Sequence, residues 1–303
     1  MTEASLTLPR NRFVVGALMV LAAGLCWSFT GVFIRLAPHL DSWQFLIYRG
    51  LGVALAFWLV ARSRGRPRIL RGFRALGRLG LVATAALSLA AIGFIVALKI
   101  ISVANALFLS SCSPLLSAVL GFVVLRERLD GWQLGSVALG FCGLLAILGG
   151  GFETGRVIGD LAALLSALGF ATFGVCMRLA PGRDFAPAMI GYGIASALSA
   201  AAVAWSQGAS LIPPPYETLA AFAAGFVLMG LGFTLFLSGA PFVPAVGQTV
   251  LAQTETIFGP LWVWLAFGET PGASTLVGGA MIFAAVVAMA WSGAGAPAPN
   301  VSN

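Results

Sequence analysis

Charge is what this chain has least of. Only 9% of its 303 residues are charged, against about 25% in a soluble globular domain. Seventeen basic and ten acidic side chains cannot coat a chain that is 59% apolar, so an ordinary water-facing fold is excluded. Histidine is nearly absent: His39 is the single copy and no H-E-x-x-H occurs, so zinc-hydrolase chemistry lacks its parts. The four cysteines (Cys26, Cys112, Cys142 and Cys176) fall within apolar runs and form no C-x-x-C pair. They read as small buried hydrophobes rather than a disulfide framework or metal site. No G-x-x-x-x-G-K-[ST] loop is present, so ATP does not drive any uphill step through that motif.

What is abundant is long apolar sequence. At about 20 residues per crossing, the chain reads as ten transmembrane helices: 14–36, 41–61, 76–98, 102–124, 131–148, 157–179, 186–206, 217–239, 243–266 and 272–291. The first is too long for a secretory h-region and is expected to be retained. No gap is long enough for a soluble domain; the longest connection is 62–75.

Sixteen of the seventeen basic residues are arginine, and their placement orients the chain. Arg10 and Arg12 precede the first span. Arg62, Arg64, Arg66, Arg68, Arg71, Arg74 and Arg78 crowd the second connection, with Arg126, Arg128, Arg178 and Arg183 in the fourth and sixth. The opposite side carries Arg35, Lys99 and Arg156. Both termini are therefore expected in the cytoplasm, in a bacterial inner membrane. The basic balance marks a membrane face, not nucleic-acid binding.

The chain also repeats itself. Gly31-Val32, Arg35-Leu36-Ala37-Pro38 and Asp41 recur 143 positions later as Gly174-Val175, Arg178-Leu179-Ala180-Pro181 and Asp184. Leu125-Arg126-Glu127-Arg128 after the fourth span matches Phe267-Gly268-Glu269-Thr270 after the ninth. This pattern predicts two five-helix units, 14–148 and 157–291. An odd number of crossings forces the second unit to enter from the other side, giving an inverted repeat. Secondary transporters use that architecture, with the substrate site at the midplane between the halves.

Polar groups that are costly in lipid are the candidate machinery. Arg49 falls within the second span, and Glu255 in the ninth is read as the one acidic residue inside the membrane. Functionally, Glu255 is a protonatable or amine-binding group and Arg49 a carboxylate contact; the structural alternative ties them to each other or to backbone carbonyls. Trp27 and Ser28 lie on one stripe of span one, Ser88 on span three, Asn105 and Ser113 on span four, and Gln248 with Glu255 on span nine. Such stripes either wall a cavity or pack helices. Phe170, Phe173 and Phe233 offer aromatic lining, or plain core. Pro114 is expected to kink span four and free carbonyls. Glu127 and Glu269 stand at equivalent helix ends, as alternating gate latches or as simple caps.

Leu25-Cys26-Trp27-Ser28-Phe29-Thr30, Tyr48-Arg49-Gly50, Ala97-Leu98-Lys99, Ser113-Pro114 and Arg126-Glu127-Arg128-Leu129 resemble motifs of the drug/metabolite transporter superfamily. Thr254-Glu255-Thr256 and Phe267-Gly268-Glu269-Thr270 resemble its second half. The likeness covers residues 14 to 291 and is to the ten-helix EamA type, nearest to YddG-type exporters. One departure is Thr256, where that family often has proline; Pro260, one turn on, stands in for the kink. The resemblance implies an all-α membrane protein, not an enzyme, that exports aromatic and other amino acids. It implies a small-molecule substrate, lipid as the surrounding partner, no cofactor or metal, and function as a monomer. The readings set against it are an exporter of unrelated drugs or metabolites, a channel and an intramembrane enzyme.

Overall fold

The computed structural model describes residues 10–63, 65, 69–126, 131–149, 154–180, 183–239, 242–243 and 251–293. Among these there is no strand. The first span is α1 (Arg10–Ser28) continued by α2 (Thr30–Arg35). Their junction is a turn in which the Ser28 hydroxyl donates to the Leu25 carbonyl at 2.7 Å, drawing that oxygen from the helix ladder. The second and third spans are α3 (Ser42–Ser63) and α5 (Arg78–Ile100). The connection between them is not an open loop but carries a short surface helix, α4 (Ile69–Leu76).

Span four is broken as its proline requires. α6 (Val103–Ser110) stops and α7 (Ser113–Leu120) restarts with Pro114 in its first turn. Proline has no N–H to offer the Ser110 carbonyl, and its ring clashes with a continuous helix there. A π-helical turn, Gly121–Leu125, completes the span. Then follow α8 (Gly131–Leu148), α9 (Thr154–Leu179) and α10 (Ala186–Ser206). Span eight is α11 (Pro215–Ala223), a π-helical stretch at Ala224–Met229, and α12 (Gly230–Gly239). α13 (Thr254–Phe267) is the described part of span nine, and α14 (Ala273–Gly293) is span ten. α13 runs through Pro260 without interruption, and the irregularity falls at its entry, Gln253.

Eight segments among the described residues are long and apolar enough to cross a membrane, and α14 is apolar over Ala273–Met289. The molecule is thus an all-α integral membrane protein whose ten helices form two inverted sets of five. Its packing follows that exchange. α5 lies along α9 and α1 along α12, the same pairing with the halves swapped, while α3 crosses α10 and α8 lies along α14. At the α3–α10 crossing, a β-carbon on Gly50 would meet the Gly193 carbonyl oxygen at 2.5 Å, and one on Gly193 would meet the Gly50 oxygen at 2.7 Å. The two glycines are separated by the repeat offset of 143 positions, so each faces its own counterpart across the pseudo-two-fold axis. Close backbone approach through small residues is the usual way lipid-embedded helices gain packing contact.

Candidate functional site

One residue from that crossing, the buried side chain of Arg49 lines a narrow cleft of about 10 Å³, room for roughly one water. The wall comprises Leu87, Ala91 and Phe94 of α5, Phe170 of α9, Tyr192 of α10, and Met229 and Phe233 of span eight. Both halves therefore contribute. The placement is quasi-symmetric: Tyr192 is the 143-position counterpart of Arg49, and Phe170 that of Trp27. Trp27 stands behind the wall, its ring 4.9 Å from that of Phe233 and 5.7 Å from that of Phe236.

The guanidinium is under-satisfied. Arg49 is 3% exposed, and its Nε has no hydrogen-bond partner. An unpaired charge in such surroundings is costly, and truncating or pairing it changes the local energetics strongly. Glu255 lies within electrostatic reach of Arg49. No direct ion pair or hydrogen bond joins the two, so they are not tied to each other as a closed structural pair. Glu255 is half-buried and its carboxylate accepts no hydrogen bond from a described residue. Beside the aromatic rings the Arg49 guanidinium thus keeps unused donor capacity, and Glu255, which does not line the cleft, lies within its electrostatic reach.

Other expected site residues are elsewhere. Ser28 is engaged in structure: besides donating to Leu25 it accepts from Trp262 Nε1 at 2.9 Å. Ser88 is satisfied within its own helix, by the Thr84 carbonyl at 2.8 Å. The Asn105 carboxamide oxygen accepts from the Thr275 hydroxyl, joining α6 to α14. Phe173 packs edge-on against Phe185, 5.9 Å between centroids, and belongs to the core. Ser113 is half-buried at the restart of span four, next to Pro114. Gln248 and Glu127 lie outside the described residues. Glu255 is not the sole acid within the spans: Asp160, 2% exposed, sits 3.7 Å from Arg156, and Glu217 is buried at the start of α11.

Away from the cavity, on the face opposite the arginine-rich connections, polar contacts tie the helix ends together. Glu269 receives Arg35 Nε at 3.0 Å and a terminal guanidinium nitrogen at 2.8 Å on one oxygen, and the Val103 N–H at 2.6 Å on the other. Arg35 also donates to the Leu98 carbonyl at 3.2 Å. Glu217 accepts the backbone N–H groups of His39 and Leu40, each at 3.0 Å, and contacts His39 Nδ1 at 2.6 Å. Lys99 donates to the Ala37 carbonyl at 2.6 Å. The contacts are asymmetric between the repeats: Arg178, counterpart of Arg35, bonds the Ser117 carbonyl and hydroxyl at 2.9 and 3.2 Å.

Sequence reasoning missed Tyr192, Glu217 and the Arg35–Glu269 contact. Carrying Arg49 forward by the repeat offset would have found Tyr192. Nothing local signals the other two, whose partners lie 178 and 234 positions away.

Comparison with known proteins assigns this arrangement. The model of the EamA-like transporter family matches twice, over residues 14–149 and 157–291. Two proteins described as uncharacterized transporters, from Helicobacter pylori strains J99 and 26695, are similar at 25% identity over 161 residues and 26% over 140. These alignments cover 52% and 46% of this chain, and 53% and 46% of the relatives, so the chain spans about half the length of the curated relatives it matches. A crystal structure shares the fold with a TM-score of 0.66 at 20% identity, over 90% of this chain and 96% of that one.

Proposed function

Because the chain belongs to the EamA-like transporter family, we propose that it is a secondary transporter working by alternating access, exporting small amphiphilic metabolites across a bacterial inner membrane. Aromatic and other amino acids are the substrate class that the chemistry of the cleft's lining favours once the halves part. The observation that carries this reading is the buried Arg49 guanidinium, its Nε unbonded, beside Phe94, Phe170, Tyr192 and Phe233, with Glu255 within electrostatic reach. A substrate carboxylate supplies Arg49 with charge-assisted hydrogen bonds. A substrate ammonium complements Glu255, and an apolar side chain is received by the rings.

The inverted repeat supports alternation, because one unit in two orientations has two nearly equivalent arrangements. In this reading Arg35 and Glu269 latch the outer end, and Glu127 serves the inner end. Trp27 braces the aromatic wall, and Pro114 lets span four bend. Arginine placement supports cytoplasmic termini. The transport unit is the monomer, since the cavity draws on both halves of one chain.

The test is flux of labelled phenylalanine and other amino acids in proteoliposomes, with and without a proton gradient. Saturable uptake stimulated by substrate on the far side supports exchange, whereas linear, unsaturable flux indicates a pore and overturns the proposal. Glu255→Gln is expected to abolish uptake while leaving folded, membrane-inserted protein. Unchanged uptake removes Glu255 from the mechanism.

A further inference from the structure

The sequence of the second connection concentrates positive charge without local counter-ions: between Asp41 and Glu127 there is no acidic residue at all. The structure sorts that charge by face. On one side of α4, Leu76 is buried and Phe73 is half-buried. A β-carbon on Gly72 would meet Pro187 Cγ of α10 at 2.7 Å, and the Phe73 ring lies 3.1 Å from where a Gly191 β-carbon would stand. Arg183 of the second half donates to the Ala75 carbonyl at 2.6 Å, at the end of the helix. Hence α4, covalently part of the first repeat, packs against α10 of the second as well as against α5.

The other side of α4 presents Arg71 and Arg74, both exposed, and Arg78 is exposed at the start of α5. Gly77 (φ 56°) makes the turn between the two helices, in the left-handed region that favours glycine. None of the three arginines has a hydrogen bond or ion pair with a described residue. At the end of α3 the Arg62 guanidinium lies 5.9 Å from the centroid of the Trp58 ring. Trp58 is itself 42% exposed. Arginine beside tryptophan at a helix end is the usual signature of the headgroup level, and Arg71, Arg74 and Arg78 follow in the same connection, between α3 and α5.

We infer that Arg71, Arg74 and Arg78 form a binding surface for anionic phospholipid headgroups, which press α4 onto α10 and so brace the two halves at the basic face of the membrane. Phosphodiester oxygens match the guanidinium donors, and the low-dielectric boundary strengthens the attraction relative to bulk water. Zwitterionic lipids lack the net charge to do this.

The experiment uses the full chain purified in neutral detergent, titrated with phosphatidylglycerol or phosphatidylcholine. Bound lipid is counted by native mass spectrometry, and the thermal unfolding midpoint is followed in parallel. Phosphatidylglycerol should bind more tightly than phosphatidylcholine and raise the midpoint. The combined Arg71→Gln, Arg74→Gln and Arg78→Gln variant should lose about a hundredfold in phosphatidylglycerol affinity, roughly fivefold per charge, with its lipid-free midpoint unchanged. The corresponding lysine variant should keep most of the binding. Three results overturn the inference: a glutamine variant within about twofold of the parent, an equal loss on replacing Arg10 and Arg12 instead, or an equal midpoint rise with inorganic phosphate.

Discussion

Replacing Gly50 with alanine places a methyl carbon 2.5 Å from the Gly193 carbonyl oxygen, with the Ser196 hydroxyl at 2.9 Å and the Ala197 β-carbon at 3.0 Å. Ordinary carbon–oxygen contact begins near 3.2–3.4 Å, so α3 and α10 must separate by roughly 0.8 Å; overpacking of that kind costs about 1–3 kcal/mol. Gly193→Ala meets the Gly50 oxygen at 2.7 Å and the Ala54 nitrogen at 2.8 Å, so its cost falls in the same range. Because one separation relieves both clashes, the double variant should cost clearly less than the sum of the single ones, by about 1 kcal/mol. Gly135→Ala is the control: nothing lies within 4 Å of its β-carbon, and helix propensity favours alanine there by up to about 1 kcal/mol. Thermal unfolding in detergent, run as a double-mutant cycle, reads the parent and all four variants. Additive costs, or single variants as stable as Gly135→Ala, refute the claim that these two backbones touch across the symmetry axis.

Two further substitutions probe contacts the sequence did not announce. Thr275→Val leaves the buried Asn105 oxygen without its donor and should lower stability by about 1 kcal/mol, whereas combining it with Asn105→Leu should restore most of that; thermal unfolding of both variants decides. Glu269→Ala removes the acceptor of the Val103 N–H and of Arg35. Hydrogen–deuterium exchange at Val103 should then accelerate at least about tenfold, and an unchanged rate means the latch does not hold that end.

Much of the fold was legible because a bilayer imposes a length on apolar sequence. Helix breaks followed where covalent chemistry dictates them, as at Pro114. The π-helical turns at Gly121–Leu125 and Ala224–Met229 were not foreseen, since they depend on what packs beside them. At Gly225, a β-carbon would run into the Arg49 carbonyl oxygen, a tertiary constraint invisible in one helix.

The site was legible in part for a related reason. Helical spacing says which residues share a face, not what that face meets. Arg49 stood out because a cation in lipid needs a reason, and the cavity holds it. Ser88 and Asn105 satisfied the same spacing rule but found partners in Thr84 and Thr275. Arg35 counted as an orientation marker and a landmark of the repeat, although its guanidinium binds Glu269.

The Gly50–Gly193 contact also has a mechanical meaning. If the halves tilt against each other, the point where their backbones touch is the fulcrum. Arg49 and Tyr192 sit one residue from it, at nearly zero lever arm. Ser42, eight positions along α3, lies about 12 Å from the fulcrum, so a tilt of about 10° carries it roughly 2 Å. That is enough to part a hydrogen bond at the helix ends while the groups around the cavity barely change position.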